Sequence, residues 1–487
     1  METTIANYHC GLVSGAIRSR DIVEFYLKRI DAYDKKGPRV NSIIFVNPKA
    51  TEEADKLDTE YKKTGKLCGP LHGVPVLLKD NFSTCDMPTT AGSLSLAGFV
   101  PKADAFATAR LRKAGAIILA KVNLHEFALW GETVSSLLGQ TLNPYDPERT
   151  PGGSSGGTGA AIAANFGLIG LGSDTINSIR SPASSNSLVG IRPTTGLVSL
   201  AGIVPYSITQ DTIGPICRTI EDAAKTLDAI TGYDSADPRT AWSVAQAPMS
   251  GYTASLKSDG LEGKRVGILE SLFGNEEKHS NVNSVIRDAI KVFSRNGAET
   301  VSLEETIDSA WILSNVSVHL EELKEELDTY LGELTDSPVS SLEEILASGK
   351  YSPAIKGILE TAMTMSRGTV DYNKKLILRA ELRTRIMKLM ADHKLDAIVY
   401  PHQKQLVCKV GDSQQERNGV LTSVIGFPSI VVPAGFSPPS LTAPLGVPVG
   451  LEIVGRPWSE PVLIEIAYGF ELASGFRKAP LITPALI

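Results

Sequence analysis

Residues 149–182, RTPGGSSGGTGAAIAANFGLIGLGSDTINSIRSP, decide the fold of this 487-residue chain. Four glycines surround Ser154 and Ser155, and glycine permits backbone conformations that other residues rarely adopt. A helix of small residues, an apolar strand and a loop that carries Ser178 are predicted to follow without a break. A flexible linker would not lead so directly into buried elements. The segment therefore predicts a glycine-rich loop built into the core of an α/β protein.

Apolar runs typical of buried strands lie on both sides of this segment and alternate with helical stretches. This alternation predicts an α/β sheet that is covered by helices on both faces. The runs are GVPVLL at 73–78, AIILA at 116–120, FGLIGLGS at 166–173, RVGILE at 265–270, DAIVYP at 396–401, PSIVVPAG at 428–435 and LEIVG at 451–455.

The length of the chain exceeds the roughly 250–300 residues that one core usually supports, which indicates a large elaborated domain or two to three domains. We expect helices over 1–60, with Ser19 as the cap of one of them, and a catalytic core over 70–235. Residues 235–390 are acid-rich and predict a mainly helical insertion or cap, without strands after residue 270. Residues 390–487 are predicted to return to the sheet.

Composition argues against several classes of partner. The formal net charge of −6 provides no basic field that would hold nucleic acid or anionic lipid. No run approaches 18 apolar residues, so no membrane span is expected, and the first residues lack a signal-peptide pattern. The five cysteines show no CxxC spacing and fit a reducing compartment, so a cytoplasmic location is expected.

Ser178 would need a base to act as a nucleophile, and no histidine lies between His125 and His279. One candidate base is Lys79, which follows the run 73–78 and should lie at the carboxyl end of a strand, where ligand sites of α/β sheets collect. Burial without a carboxylate partner can lower the pKa of its amine enough for it to accept a proton. The alternative is a lysine that extends from the strand end into solvent.

A second interpretation rests on the G-x-S-x-G pattern of residues 152–156, which is typical of the nucleophile elbow of α/β-hydrolases. That elbow requires a strand before the serine and a helix after it. The preceding residues LNPYDPERTP contain three prolines and several charges, which disfavours a buried strand. In this interpretation, which the residues leave open, Ser154 or Ser155 would be the nucleophile and His402 its base.

Taken together, the segments resemble the amidase signature family, and within it the peptide-amidase-like branch. The resemblance covers roughly residues 5–235 and 390–475 and is thin in between. The spacing fits as well, with 75 residues from Lys79 to Ser154 and 24 from Ser154 to Ser178. The segments that carry it are HGVPVLLKDN (72–81), TPGGSSGG (150–157), GSDTINSIRSPAS (172–184), VGIRPTTGLVSLAGIVPYSITQDTIGP (189–215), RTIEDAA (218–224), GFPSIVVPAG (426–435) and GLEIVGRPWSE (450–460).

The resemblance implies one large amidase signature domain over residues 1–487, built on a mixed, twisted sheet with a helical insertion. It also implies a Ser–cis-Ser–Lys catalytic unit. In that unit Ser178 is the nucleophile, Ser154 is the bridging serine after a cis peptide bond, and Lys79 is the base. No metal or cofactor is expected, and the substrate would be a small-molecule or peptide amide.

The resemblance further implies an oxyanion hole made of four backbone N–H groups, those of Thr175, Ile176, Asn177 and Ser178. Four more residues would support the site: Gly153, Ser155, Asp174 and Arg180. We expect Asp174 and Arg180, which bracket the loop, to form an ion pair.

The chain departs from the family just before Ser178, where Gly-Gly or Asp-Gly is usual and this sequence has Ile176 and Asn177. A β-branched residue disfavours positive φ, so either residue 176 has negative φ or the loop is reshaped. Since the donors are backbone groups, the substitution does not by itself remove the oxyanion hole. It adds side-chain bulk near the scissile bond, and we expect a narrowed or reshaped acyl site.

The expected activity is hydrolysis of a carboxylic amide through an acyl-enzyme on Ser178, with release of ammonia or an amine. Two alternatives stay open: an acyltransferase or amide-forming enzyme that uses the same acyl-enzyme, and a non-catalytic amidase-like module or one component of a larger complex. A homodimer, which is common in the family, is also left open.

Other conspicuous residues are expected to be structural. His72, His125 and His402 lack metal-ligand spacing. Phe127 and Trp130 lie near the predicted site and could line a pocket, but core packing is the favoured interpretation.

Overall fold

The computed structural model describes residues 2–486. Its strands are β1 (Ile43–Val46), β2 (Pro75–Lys79), β3 (Ile117–Val122), β4 (Val134–Ser135), β5 (Gly139–Gln140), β6 (Ile169–Asp174), β7 (Val189–Arg192), β8 (Thr212–Cys217), β9 (Arg265–Leu269), β10 (Glu299–Leu303), β11 (Ala397–Pro401), β12 (Ser429–Phe436) and β13 (Pro448–Val454). Eleven of them form one mixed sheet in the order β1-β3-β2-β6-β8-β7-β12-β13-β11-β9-β10, and β4 pairs with β5.

Helices cover the sheet as predicted. They are α1 (Ile5–Val13), α2 (Ser19–Tyr33), α3 (Ala50–Thr64), α4 (Phe106–Lys113), α5 (Gly156–Ala163), α6 (Arg180–Ser185), α7 (Ile220–Ile230), α8 (Ser280–Arg295), α9 (Ser309–Asn315), α10 (His319–Glu333), α11 (Leu342–Ser348), α12 (Lys356–Thr364), α13 (Val370–Asp392), α14 (Val420–Ile425) and α15 (Glu460–Ser474). Helices α5 and α6 pack together on the central strands, and α7, α8 and α15 form a second packed group on those strands.

The register of three strands brings the predicted site residues to one edge of the sheet. Strands β3, β2 and β6 are parallel neighbours, with Leu78 opposite Leu171. Parallel strands end at the same edge, so Lys79 at the end of β2 lies beside the last residues of β6, Ser173 and Asp174. The strand β7 pairs antiparallel with β12, which joins the C-terminal part of the chain to the same sheet.

The boundaries differ from the sequence expectations at three places. A strand, β1, interrupts the helices of residues 1–60. Helix α2 begins at Ser19, whose N–H donates to the Asp58 carboxylate at 2.7 Å, so Ser19 is not the cap. Within the helical region 235–390 we expected no strand after residue 270, and this expectation is wrong because β10 (Glu299–Leu303) lies there. It is an edge strand with a mixed ETVSL sequence, of which Leu303 is buried, so it lacks the apolar run of a central strand.

The region 235–390 packs over the loops at the edge of the sheet. Leucines and isoleucines of α10, α11 and α12 form a hydrophobic core of their own with Leu96, Phe127 and Leu129 from those loops. Phe127 is therefore a core residue, as predicted. Within residues 2–486, no helix combines the length and apolar character that crossing a bilayer requires. All five cysteines are free thiols.

Candidate active site

Lys79 is completely buried at the end of β2. Its amine lies 2.7 Å from Ser154 Oγ, 2.8 Å from Ser173 Oγ and 3.5 Å from the Ser173 carbonyl oxygen. Burial lowers the pKa of Lys79 to about 7, although the carboxylates of Asp174 and Asp211 act in the opposite direction. The interpretation of a lysine that extends into solvent is therefore wrong, and a large fraction of the amine is neutral at pH 7.

The hydrogen bonds of Lys79 suit a neutral amine, which has two N–H donors and one lone pair. Ser173 can take both donors through its hydroxyl and carbonyl oxygens. The Asn81 amide donates to the Ser173 hydroxyl oxygen as well, at 3.0 Å, which favours that oxygen as an acceptor. The lone pair of Lys79 then remains for the Ser154 hydroxyl, so Ser154 can donate its proton to the amine.

The glycine-rich loop holds Ser154 through its backbone. The peptide bond between Gly153 and Ser154 is cis, as predicted. The carbonyl of Ser154 accepts the N–H of His125 at 2.9 Å. The hydroxyl of Thr133 donates to the carbonyl of Gly152 at 2.7 Å. Backbone contacts on both sides of Ser154 thus fix its position.

Glycine is required where α5 begins. A Cβ at Gly156 would lie 2.2 Å from Thr133 Oγ1, and a Cβ at Gly157 would lie 2.1 Å from the Asn123 carbonyl oxygen. The N–H of Gly156 donates to Thr133 Oγ1 at 3.0 Å, so the close approach is used for a hydrogen bond. The glycines therefore let the helix start directly against neighbouring backbone.

Ser178 lies in the loop between β6 and α6, and its main chain is bonded to the glycine-rich loop. The N–H of Ser155 donates to the Ser178 carbonyl at 3.3 Å. Ser178 is 5% exposed and lines a cavity. Among residues 2–486 no hydrogen bond joins its hydroxyl to that of Ser154. The structure thus brings Lys79 and Ser154 into contact and places Ser178 on the adjoining loop.

The backbone before Ser178 has free donors. Over residues 2–486, the N–H groups of residues 175 to 178 have no acceptor. Ile176 and Asn177 both have φ outside the left-handed region. Of the two expected outcomes, a negative φ at residue 176 or a reshaped loop, the first therefore holds. The Ile176 side chain lines the cavity, which places its bulk where a substrate would lie.

A buried ion-pair network supports this loop. Arg180 donates to the Asp174 carboxylate from Nε and Nη2, both at 3.0 Å, and to the Ile176 carbonyl at 2.8 Å. The predicted pair of Asp174 and Arg180 is therefore present. Arg192 Nη1 lies 2.8 Å from Asp174, and Glu452 contacts Arg180. Burial opposes ionisation of Asp174, but the two guanidinium groups outweigh it and hold its pKa well below the ordinary value.

His402 belongs to this network. Its Nδ1 lies 2.7 Å from Glu452, and the ring is fully buried. Burial opposes ionisation of Glu452, but Arg180 and His402 outweigh it and lower its pKa to about 2. No strand lies in residues 141–153, and within the described chain His402 bonds to neither Ser154 nor Ser155. The nucleophile-elbow interpretation is therefore wrong, since it lacks both its strand and its base.

A cavity of about 290 Å³ opens beside Ser178. One wall is the loop 175–178, and the facing wall comes from the helical region. Trp130 also lines it, so the expectation that Trp130 packs in the core is wrong. The apolar lining residues include Leu129, Ile176, Leu313, Leu320 and Met365, and the polar ones include Tyr206, His319, Glu321, Lys375 and Arg417.

Four residues of the site were not predicted from the sequence: Thr133, Ser173, Arg192 and Glu452. Glu452 had a usable signal, because a lone carboxylate inside the apolar run LEIVG must find a partner when it is buried. Ser173 precedes Asp174 at the end of an apolar strand, and this position is a weaker indication of a role in the site. Thr133 lies in a short hairpin with no local pattern that indicates its role.

One group of side chains outside the site has potential metal ligands close together. Atoms of Glu276, His279 and Glu416 lie within 4.8 Å of one another. Lys278 lies 3.2 Å from Glu416 and 3.5 Å from Glu276, and His279 Nε2 lies 3.0 Å from Glu416. The N–H of Glu276 donates to His279 Nδ1 at 3.0 Å, so Nε2 carries the proton in the neutral ring. The geometry is that of a lysine–histidine–carboxylate cluster.

A family model described as Amidase matches residues 21–464. This chain belongs to the amidase signature family. A probable amidase of Arabidopsis thaliana is 38% identical to this family member over 505 residues, which cover 98% of this chain and 91% of the plant protein. One of the subunits of glutamyl-tRNA(Gln) amidotransferase from Alkaliphilus metalliredigens is 32% identical, and the match covers 98% of each protein.

Among solved structures, native peptide amidase of Stenotrophomonas maltophilia is similar to this amidase signature protein. The TM-score is 0.89 at 36% sequence identity, and the match covers 99% of each chain. The predicted family and the predicted α/β fold with a mixed sheet are therefore confirmed over nearly the whole chain.

Proposed function

We propose that this amidase signature protein hydrolyses carboxylic amides with Ser178 as the nucleophile, Ser154 as the proton relay and Lys79 as the base. The observation that carries the proposal is the 2.7 Å contact between the buried Lys79 amine and Ser154 Oγ. With a pKa of about 7, this amine can accept a proton at neutral pH, which an ordinary lysine cannot do.

In the acylation step, neutral Lys79 takes the proton of Ser154 while Ser154 takes the proton of Ser178. The Ser178 oxygen attacks the amide carbonyl carbon, and the carbonyl electron pair moves to its oxygen. Collapse of this intermediate breaks the C–N bond, and the relay returns a proton to the departing ammonia or amine. Water then hydrolyses the acyl ester through the same relay and restores the Ser178 hydroxyl.

The loop 175–178 supports this role through its unpaired N–H groups. The Asp174 carboxylate accepts the N–H of Ile179, and the Ile176 carbonyl accepts an N–H of Arg180. These nearby acceptors are therefore bonded to donors outside the loop 175–178. The N–H groups stay available for the negative oxygen of the intermediate. Removal of one such donor typically costs about 10²–10³-fold in rate.

Acyl transfer to an amine or ammonia is a second candidate function, because several relatives are named as components of glutamyl-tRNA(Gln) amidotransferase. The same acyl-enzyme serves both reactions, and only the nucleophile that resolves it differs. A non-catalytic module is disfavoured because a scaffold would not need a buried lysine against a serine hydroxyl. For the substrate we propose a small-molecule or peptide amide, in keeping with the similarity to peptide amidase.

A fluorophosphonate reagent tests the nucleophile. We expect one covalent adduct, mapped by peptide mass spectrometry to Ser178. Ser178→Ala should remove the adduct and lower ammonia release from a panel of amides by about 10³-fold or more. Ser181→Ala is the matched control, since Ser181 is equally buried on the following helix and should leave both readouts intact. An adduct on Ser154, or ammonia release that survives Ser178→Ala, would contradict the proposal.

Hydroxylamine separates hydrolysis from transfer. If the acyl-enzyme is resolved mainly by water, hydroxylamine should convert part of the product to hydroxamate at the expense of acid, without faster amide consumption. If the acyl group is normally passed to an amine, acid should be a minor product whenever an amine acceptor is present.

A further inference from the structure

Arg417 is a cavity-lining cation that has no ion pair or hydrogen bond through its side chain among residues 2–486. The other lining cation, Lys375, lies 2.7 Å from the Glu321 carboxylate and donates to the Ser317 carbonyl at 3.1 Å. His319 is uncharged at neutral pH, because burial and the nearby cations lower its pKa to about 3. The guanidinium of Arg417 is therefore the uncompensated charge of the cavity.

The guanidinium of Arg417 is held in place by its neighbours. It lies 4.8 Å from the ring centroid of Trp130, whose Nε1 donates to Ser413 Oγ at 2.9 Å. On another side it lies against Gly131, where an added Cβ would be 3.0 Å from Arg417 Nη1. An added Cβ at Gly153 would in turn lie 2.8 Å from the Gly131 carbonyl carbon. One residue thus separates the cation from the glycine-rich loop that carries Ser154.

Glu132, the carboxylate whose charge acts on Arg417, is hydrogen-bonded to other groups. Glu132 accepts the N–H of Gln414 at 2.8 Å and the Ser413 hydroxyl at 3.4 Å. Burial lowers the pKa of Arg417, and Glu132 only partly opposes this effect. Arg417 is partly buried, and a guanidinium that is partly removed from water without a bonded anion carries a desolvation cost, which a carboxylate that bonds to the guanidinium fork offsets.

We propose that the amide hydrolysed at this site carries a carboxylate, which Arg417 binds while Ser178 attacks the amide. This inference rests on the proposed function, whose nucleophile lines the same cavity. Leu129, Leu313 and Leu320 line the space as well, so the part of the substrate between amide and carboxylate is a short hydrocarbon chain. Two charge-assisted N–H···O bonds fix its orientation, because guanidinium and carboxylate are both planar.

The test compares two amides on two arginine variants. One amide ends in a carboxylate, as in glutaramate, and the other is 5-methylhexanamide, in which an isopropyl group replaces that carboxylate. Arg417→Met should lower kcat/KM for the carboxylate substrate by roughly 10- to 100-fold and leave the neutral amide within about threefold. Arg417→Lys, which keeps the charge but loses the fork, should recover part of the difference.

Arg383→Met is the matched control. Arg383 also lacks an ion pair among residues 2–486 and lies over an aromatic ring, 5.7 Å from the Phe427 centroid, but it lines a different cavity. Its substitution should leave the ratio between the two substrates unchanged. An equal loss on both amides, or no loss, in Arg417→Met would overturn this inference while ammonia release still depends on Ser178. Ammonia release that survives Ser178→Ala would instead overturn the proposed function.

Discussion

Two lysines lie on neighbouring strands of the sheet, Lys79 at the end of β2 and Lys121 on β3, and both are fully buried. Burial lowers the pKa of each amine. Lys121 lies 3.2 Å from Asp80, a carboxylate that stabilises its charge, whereas the bonded neighbours of Lys79 are hydroxyl and carbonyl oxygens of serines. Because a neutral environment favours the neutral amine, Lys79 is the one suited to accept a proton.

We therefore predict that kcat/KM rises with pH through a midpoint near 7. The relay needs unprotonated Lys79, and the unprotonated fraction grows as the pH passes its pKa of about 7. Lys79→Met should lower the rate by about 10²–10⁴-fold and remove this midpoint. A pH series of kcat/KM on one amide measures both effects.

Lys121→Met provides the comparison for that experiment. It removes an equally buried amine on the neighbouring strand, so it should reduce stability but keep the midpoint near 7 in the folded fraction. A midpoint that moves equally in both variants, or full activity of Lys79→Met, would show that Lys79 is not the base.

At the level of single residues, the sequence predicts those site residues whose neighbours in the sequence form a recognisable pattern. Lys79 follows an apolar run, Ser154 lies among glycines, and Ser178 lies in a small-residue loop. Ser173 could not be predicted in the same way, because it meets the Lys79 amine only through the parallel pairing of β2 with β6. Strand pairing of this kind depends on contacts between segments about 90 residues apart in the sequence, which no local pattern encodes.

At the scale of elements, the connection between β6 and α6 depends on side chains from the C-terminal strands. Arg180 opens α6 and bonds to Asp174 at the end of β6, which closes the loop on itself. It also contacts Glu452 of β13 and donates to Ser423 Oγ of α14 at 2.8 Å. The loop that carries Ser178 is therefore anchored to elements more than 240 residues away.

We predict that Arg180→Met costs about 3–5 kcal/mol of unfolding free energy, because it leaves buried carboxylates without their partner. Denaturant unfolding at neutral pH measures it. Arg18→Met is the control: Arg18 forms an exposed pair with Asp21 at 2.6 Å, which solvent screens, so its loss should change the unfolding free energy far less than Arg180→Met does. Similar losses in the two variants would contradict the importance of the buried network.

The same network predicts that the free energy of unfolding depends on pH in the acidic range. The folded pKa of Glu452 is about 2, below its ordinary value, so its ion pairs stabilise the fold above roughly pH 4.5 and lose their effect as the pH falls towards 2. The difference in stability between the parent and Arg180→Met should therefore shrink between pH 5 and pH 2.5.

The pair of Asp174 and Arg180 was predictable because the two residues bracket one loop. The contributions of Glu452 and His402 were not, since they depend on β13 lying between β12 and β11 in the sheet. A buried carboxylate in an apolar strand indicates that a partner exists, but the sequence alone does not identify the partner.

At the scale of the whole molecule, one sheet contains strands from residues 43–217 and from residues 265–454. The helical region 235–390 packs over the loops at the edge of the sheet where Lys79 and Ser178 lie. Seven strands of the sheet were predictable from their apolar runs, namely β2, β3, β6, β9, β11, β12 and β13, but β8 and β7 at its centre were not predicted. The edge strands β1 and β10 were not predicted either. The β10 sequence ETVSL mixes polar with apolar residues, and the β1 sequence IIFV is apolar but only four residues long, which is too short to be told from a buried helical segment by its periodicity. The cavity wall facing Ser178 comes from the region where the resemblance to the family is thin, so the pocket shape could not be inferred from it.

This arrangement predicts that the helical region sets substrate size. Met365, just after α12, lines the cavity of about 290 Å³, and Met365→Trp should fill part of it. We expect kcat/KM for the longest accepted amide to fall by roughly 10-fold or more, while the shortest stays within about threefold, since the added ring excludes bulk but does not touch the relay. Val370→Trp, at a 71% exposed position on α13, should change neither. Equal losses on short and long amides in Met365→Trp would mean that this wall supports the fold of the site and does not select substrates by size.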